Sequence, residues 1–185
     1  HWLTPALSVS VHTLACGPLL GDGSEPSAQR LRALLARELP LGAYCLSESQ
    51  AGSDTKGLLC RATREGSTWR LNGTKAWITH APFASFFTVF ARTDPGSPDL
   101  SCFVVPAGTD GSSICLPERK IGLKASPTCT VHLDDVYVES DSLIGDSGAG
   151  RAIALAALVK GRLSIAALAV SISEYRLALA VAPPT

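Results

Sequence analysis

The stretch YCLSESQAGSD at residues 44–54 sets an apolar run before the hydroxyls of Ser47 and Ser49, the carboxylate of Glu48 and the small residues Ala51, Gly52 and Ser53. Small residues let backbone N–H groups come close to an anionic or planar ligand, so this stretch is suited to cradling a ligand rather than breaking a bond. Further along, KAWIT at residues 75–79 would place Trp77 and Thr79 on one face of a strand and Ile78 on the other. That face offers an indole wall and a hydroxyl. GLKASPT at residues 122–128 and GRAIALAALVKGR at residues 150–162 complete the set, the second ending in Arg162.

Each of these residues has a plainer role when taken alone. A strand tryptophan usually packs in a core, and most Ser and Thr hydroxyls bond to nearby backbone. It is their conjunction that favours ligand contact for Trp77, Thr79, Ser53 and Ser47. Glu48 and Asp54 have no second carboxylate at a useful spacing and read as solvated loop carboxylates or caps. His12 and His132 flank apolar runs and read as structural, whereas His80 directly follows Thr79 and keeps a functional reading by position. Arg162 could meet a charged group of a substrate or pair across a helix bundle. Arg119 and Lys120, beside Glu118, read as a solvated strand end.

The elements that must position these groups change character along the chain. Residues 1–20 are apolar and small, and SEPSAQRLRALLARE follows with Ser24 as a helix cap, Pro26 in the first turn and Leu31, Leu34 and Leu35 on one face. The helical region is expected to end near Pro40. From Leu41 short apolar or alternating runs are separated by turn signals, the pattern of an antiparallel barrel or sandwich. Asn72-Gly73 reads as the turn of a hairpin. A helix is expected over about residues 151–181, with Ile153, Ala157, Lys160 or Gly161, Ser164 and Leu168 near one stripe, stopping at Pro183-Pro184. The fold class is α+β, an antiparallel β-barrel or sandwich flanked by helical segments.

Composition narrows the partners. The 185 residues carry 16 Lys+Arg against 16 Asp+Glu, which argues against a nucleic-acid surface or an anionic-membrane anchor. The longest uncharged run of the last segment, residues 163–173, is short for a transmembrane helix, so a soluble chain is expected. Six cysteines without a CxxC pair, and no histidine at zinc-ligand spacing, read as reduced, mostly buried thiols and leave no metal site. With no Met and His1 at the start, no leader can be read, and the chain is expected to be a piece of a longer polypeptide.

In their order and spacing these motifs resemble the acyl-CoA dehydrogenase family. SESQAGSD at residues 47–54 corresponds to its Thr-Glu-Pro-x-x-Gly-Ser-Asp loop, and Trp77-Ile78-Thr79 to its Trp-Ile-Ser/Thr strand. The resemblance implies the end of an N-terminal helical domain at residues 1–40, a middle β domain at 41–148 and the first helix of a C-terminal helical domain at 149–185. It implies FAD held by Tyr44, Cys45 and Leu46 through their backbone and by Ser47, Gly52, Ser53, Trp77, Ile78 and Thr79. The substrate would be an acyl-CoA meeting Ser53 and Arg162. The reaction implied is α,β-dehydrogenation of an acyl thioester to its trans-2-enoyl form, with electrons passed to an electron-transfer flavoprotein. A homo-oligomer, dimer or tetramer, is implied, in a bacterial cytoplasm or, for a eukaryote, a mitochondrial matrix.

Some family members place the catalytic glutamate just before the Arg of the last helix, where this chain has Gly161. The base is then expected outside these residues, and the 185 residues alone should lack turnover. The C-terminal Arg-x-x-Phe-Gly and Gly-Gly stretches that hold the adenine end in the family do not occur, so the FAD site written here is a half-site. Within the motifs, Ser49 stands for the usual Pro, Gln50 for a small residue, His80 for Asn and Val159 for Asp. These departures leave open a non-catalytic subunit or a flavin oxygenase of the same fold, and outside it a flavin-free binding protein.

Overall fold

Alternation and burial decide most of the strands. The computed structural model describes residues 3–21, 25–36 and 41–181. Helices α1 (Leu3–Gly21) and α2 (Glu25–Leu35) come first, and Leu31 and Leu34 are buried as the apolar face of α2 predicts. Ser24 and Pro40, read as a cap and a helix end, lie outside the described residues. Then follow β1 (Leu41–Cys45), β2 (Arg61–Glu65), β3 (Thr68–Thr79), β4 (Ala84–Arg92), β5 (Leu100–Pro106), β6 (Ser112–Ile114), β7 (Thr128–Glu139), β8 (Leu143–Ile144) and α3 (Gly150–Val181). The strands run β6-β7-β3-β2-β4-β5-β8, with β1 also paired to β4.

The pairing is mixed rather than antiparallel throughout. β1 lies parallel to β4, and a single parallel pair, Arg61 with Arg92, joins β2 to β4. β4 is buried on both faces from Ser85 to Ala91, and its continuous apolar run is what a strand enclosed on both sides requires. Ala43, Cys45, Phe87 and Val89 meet Leu71, Ile78, Val131 and Val136 of β3 and β7 in one core, so the sheet packs on itself in a sandwich-like manner without closing into a barrel. Phe86, Phe90, Cys102 and Val104 form a second core with Ala15, Leu19, Leu31 and Ala154 of the helices.

Asn72-Gly73 does not turn the chain. β3 runs straight through it, with a bulge between Leu71 and Gly73. The Asn72 amide Nδ2 donates to Asp135 Oδ1 at 2.9 Å and its Oδ1 accepts from Asp135 N at 2.9 Å, so the side chain stitches the bulge to β7. The hairpin turn lies earlier, at Gly66-Ser67, where Gly66 takes φ +63° between the paired residues Glu65 and Thr68.

Specific bonds seat the helices. Thr88 Oγ1 donates to Ala15 O at 2.7 Å and Gly42 N to His12 Nδ1 at 3.1 Å, fixing α1 over β1 and β4. Tyr44 Oη donates to Ala154 O at 3.2 Å and fixes the first turns of α3. Beyond Leu158 most of α3 is exposed, with Leu163 and Tyr175 among its uncovered side chains. As a continuous helix α3 is long and apolar enough to cross a membrane by length and composition alone, although its longest uncharged run, residues 163–173, is not. All six cysteines are free, five buried and Cys115 exposed.

Candidate functional site

The loop after β1 is built around a carboxylate. Glu48, 2% exposed, lies 2.8 Å from Nζ of the fully buried Lys75, and its two oxygens also accept from Leu59 N at 2.7 Å, Cys60 N at 3.0 Å and Gln50 Nε2 at 2.7 Å. It is therefore not the solvated loop residue expected from sequence. Burial alone would push its carboxyl up, but the Lys75 charge and hydrogen bond and the two backbone donors outweigh this and hold it below its ordinary range. Lys75 also donates to Leu46 O at 3.1 Å, and Ala76 N to Ser47 O at 2.9 Å, so the loop is tied to β3. Asp54 is a turn cap, accepting from Lys56 N at 3.0 Å.

β3 is bulged again between Lys75 and Ile78, and Trp77 takes φ +58° there. A bulge re-aims side chains. Ile78 goes into the core, whereas Trp77, 55% exposed, and Thr79 turn to a cleft of about 400 Å³. The same cleft is lined by Tyr44, Leu46, Ser47, Gly52, Ser53 and Arg162, so eight of the residues singled out from sequence converge on it. Cys45 and Ile78 do not bring side chains to it. They sit at 0% and 2% exposure in the inner core, leaving only their backbone to a ligand.

The remaining lining was not picked out from the sequence: Val11 and Leu14 of α1, Thr55 after the loop, and Leu155 and Leu158 of α3. Leu155, Leu158 and Arg162 recur at helical spacing on one face, a signal available in the sequence but shared by any packed helix. The hydroxyls of Ser47, Ser53 and Thr79 make no side-chain hydrogen bond with the described residues, and a Cβ added to Gly52 would meet nothing within 4 Å. The Arg162 guanidinium forms no ion pair there either, so the bundle-pairing alternative finds no partner among the described residues. A second apolar groove of about 410 Å³ continues between α1 and α3 past Gly161, whose added Cβ would lie 3.3 Å from Leu14 Cδ1.

Residues 43–136 match the family description "acyl-CoA dehydrogenase, middle domain". The chain belongs to the acyl-CoA dehydrogenase family. It is 38% identical over 178 residues to a probable acyl-CoA dehydrogenase of Mycobacterium leprae, covering 95% of this chain and 46% of the relative. Its fold superposes on butyryl-CoA dehydrogenase from Megasphaera elsdenii with a TM-score of 0.90 at 32% identity, over 95% of this chain and 47% of that one. Glutaryl-CoA dehydrogenase from Mycobacterium smegmatis, solved in complex with FADH2, matches with a TM-score of 0.74 at 32% identity, over 86% of this chain and 40% of that one. The chain thus spans about half the length of the relatives it matches.

In this acyl-CoA dehydrogenase fold, His80 lies behind the cleft rather than in it. It is 2% exposed in a left-handed conformation, with Nε2 3.1 Å from Ser8 Oγ and buried Nδ1 without a partner among the described residues. Burial lowers its pKa, and the neighbouring His12 and Lys120 lower it further; burial also lowers that of His12. His12 must keep Nδ1 unprotonated to accept from Gly42 N. Both histidines therefore favour the native state most when neutral, and their contribution is complete above the ordinary value of 6.5 and lost as pH falls through the lowered folded values. Tm should fall between pH 7 and pH 5, and His12→Gln should flatten that fall. An unchanged slope in the variant would refute the assignment. His132, by contrast, is exposed, 3.0 Å from Thr74 Oγ1 and 3.3 Å from Cys115 Sγ.

Proposed function

We propose that this chain supplies the flavin-facing part of an FAD-dependent acyl-CoA dehydrogenase that converts an acyl-CoA to the trans-2-enoyl-CoA and passes the electrons to an electron-transfer flavoprotein. The observation that carries the reading is the cleft itself: an exposed indole and three unspent hydroxyls around a loop whose Gly52 leaves open space. That set fits a planar ring system with a polar edge and a phosphorylated tail. FAD, when bound, supplies the hydride acceptor.

The rest falls to residues of the chain. Thr79 and Ser47 would donate hydrogen bonds to the polar edge of the ring, Trp77 would wall its side against water, and the N–H groups of Gly52 and Ser53 would face the anionic tail. Arg162, at the mouth, meets a charged group of the thioester substrate. None of the residues lining the cleft is a carboxylate and Gly161 has no acid–base atom, so the proton-abstracting base belongs to polypeptide outside these residues. In this reading residues 1–40, 41–148 and 149–185 belong to three domains of the whole protein, in a bacterial cytoplasm or a mitochondrial matrix. The exposed apolar side chains of α3, among them Leu163, Ile165, Val170 and Leu177, are surfaces for a helical bundle and for a homodimer or tetramer.

The test is the absorbance spectrum of the protein at its natural length, before and after anaerobic addition of a panel of acyl-CoAs. A yellow protein bleached by one of them is the expected result. A yellow protein that none bleaches would favour a non-catalytic subunit, and a colourless one that cannot be reconstituted with FAD would favour a binding role. Thr79→Ala should weaken FAD binding by roughly two- to tenfold through one lost hydrogen bond. An unchanged affinity and reduction potential would refute that role.

A further inference from the structure

We propose that Gln50 and the buried Glu48–Lys75 pair are positioning residues, which together hold the 47–53 loop at a set distance from the Trp77–Thr79 edge of β3. The proposal rests on the flavin reading above. None of the three lines the cleft; they stand directly behind it and act through the residues that do.

Lys75 spans both walls. From two residues before Trp77, its ammonium donates at once to Leu46 O at 3.1 Å and Glu48 Oε1 at 2.8 Å, the residues on either side of Ser47. Glu48 in turn ties the loop to the segment leading into β2 through Leu59 N and Cys60 N. Burying two charges is seldom a net gain in stability over apolar residues of the same shape, but such a pair is worth having where one geometry must be selected. Here it selects the spacing between the Ser47 and Trp77 walls.

Gln50 closes the arch. Its Nε2 donates to Glu48 Oε2 at 2.7 Å and to Gly57 O at 3.3 Å, and Ser49 Oγ donates to its Oε1 at 3.1 Å and so orients the amide. Glu48 and Ala51 are bonded in both directions across Ser49-Gln50, at 2.9 and 3.0 Å. Ser49 therefore occupies the second position of a tight turn, where proline, the residue usual in the family motif, presets the backbone. In this chain the side-chain network of Ser49 and Gln50 supplies the rigidity that a proline ring would give.

The experiment uses the protein at its natural length, with FAD affinity read from fluorescence quenching, the flavin absorbance band from its position, and Tm in parallel. Gln50→Ala is the primary variant because it leaves the ion pair in place. It should raise the FAD Kd about tenfold and shift the absorbance band. Val136→Ala, in the core of β7, should lower Tm at least as much without moving either. Adding Ser49→Pro to Gln50→Ala should recover most of the lost affinity. If the unaltered protein binds FAD and Gln50→Ala and Lys75→Met bind it equally well, or if Val136→Ala weakens binding as much, the positioning role is overturned. If the unaltered protein takes up no FAD, the flavin reading itself fails, and this proposal with it.

Discussion

Lys75→Met should lower stability by about 3–5 kcal/mol, because it strands a buried carboxylate without its counter-charge. Lys75 is fully buried and Glu48 nearly so, and the remaining donors to Glu48 are two backbone N–H groups and one neutral amide. In a domain of this size such a loss should lower Tm by roughly 10 °C or more. The pH dependence should change sign as well. In the native protein the Glu48 carboxyl is held below its ordinary value of 4.5, so its contribution is present above that value and lost as pH falls through the lower folded one. Without Lys75 the burial that pushes the carboxyl up goes unopposed by any charge. Its protonated form is then favoured in the fold, and the variant should lose stability as pH rises through the raised value. Glu48→Gln combined with Lys75→Met should recover much of the loss, since neither buried charge remains. Thermal melts of the single and double variants between pH 4 and pH 8 decide it, and a single variant that melts within about 2 °C of the parent at every pH would refute the account.

That pair marks where reading the sequence stops. The loop at residues 44–54 and the strand at residues 75–79 could be picked out because each carries its signal within a few neighbouring residues: small residues after an apolar run, or an aromatic and a hydroxyl at strand spacing. Leu31 and Leu34, and Ile153 and Ala157 at the start of the α3 stripe, were legible for the same reason, since helical periodicity is local, whereas Lys160 and Ser164 farther along that stripe are exposed. Glu48 was not. Its partner lies 27 residues away on another strand, and nothing near it distinguishes a buried carboxylate from a solvated one. β2 was hidden because RATRE buries only Ala62, so no alternation appears. The parallel pairing of β1 with β4 depends on which strand the chain returns to, which neither partner encodes alone. Val11 and Leu14 have the composition of any core helix, and only the placement of α1 across the sheet turns them into cleft walls.

Gly73 shows the same limit from the other side, and its replacement should have the second largest effect. Asn-Gly is a strong turn signal because both residues tolerate positive φ, but here the glycine answers a different requirement. A Cβ on Gly73 would lie 2.7 Å from Cys60 Cα and 2.8 Å from Cys60 Cβ, and the backbone there has φ +154°. The obstacle is main chain rather than the end of a flexible side chain, so relief would mean moving the start of β2 away from β3. Cys60 N is one of the Glu48 donors, and Cys60 O accepts from Arg92 N at 2.8 Å. Displacing it would loosen both the carboxylate hub and the corner where β2 meets β4. Gly73→Ala should therefore cost about 3 kcal/mol. Gly66→Ala, at the true turn, should cost less, because an added Cβ there meets nothing and only the left-handed φ is penalised. Denaturant midpoints of the two variants test the ordering: if Gly66→Ala proves the more damaging, the close approach at Cys60 is not what the glycine in β3 is there to permit.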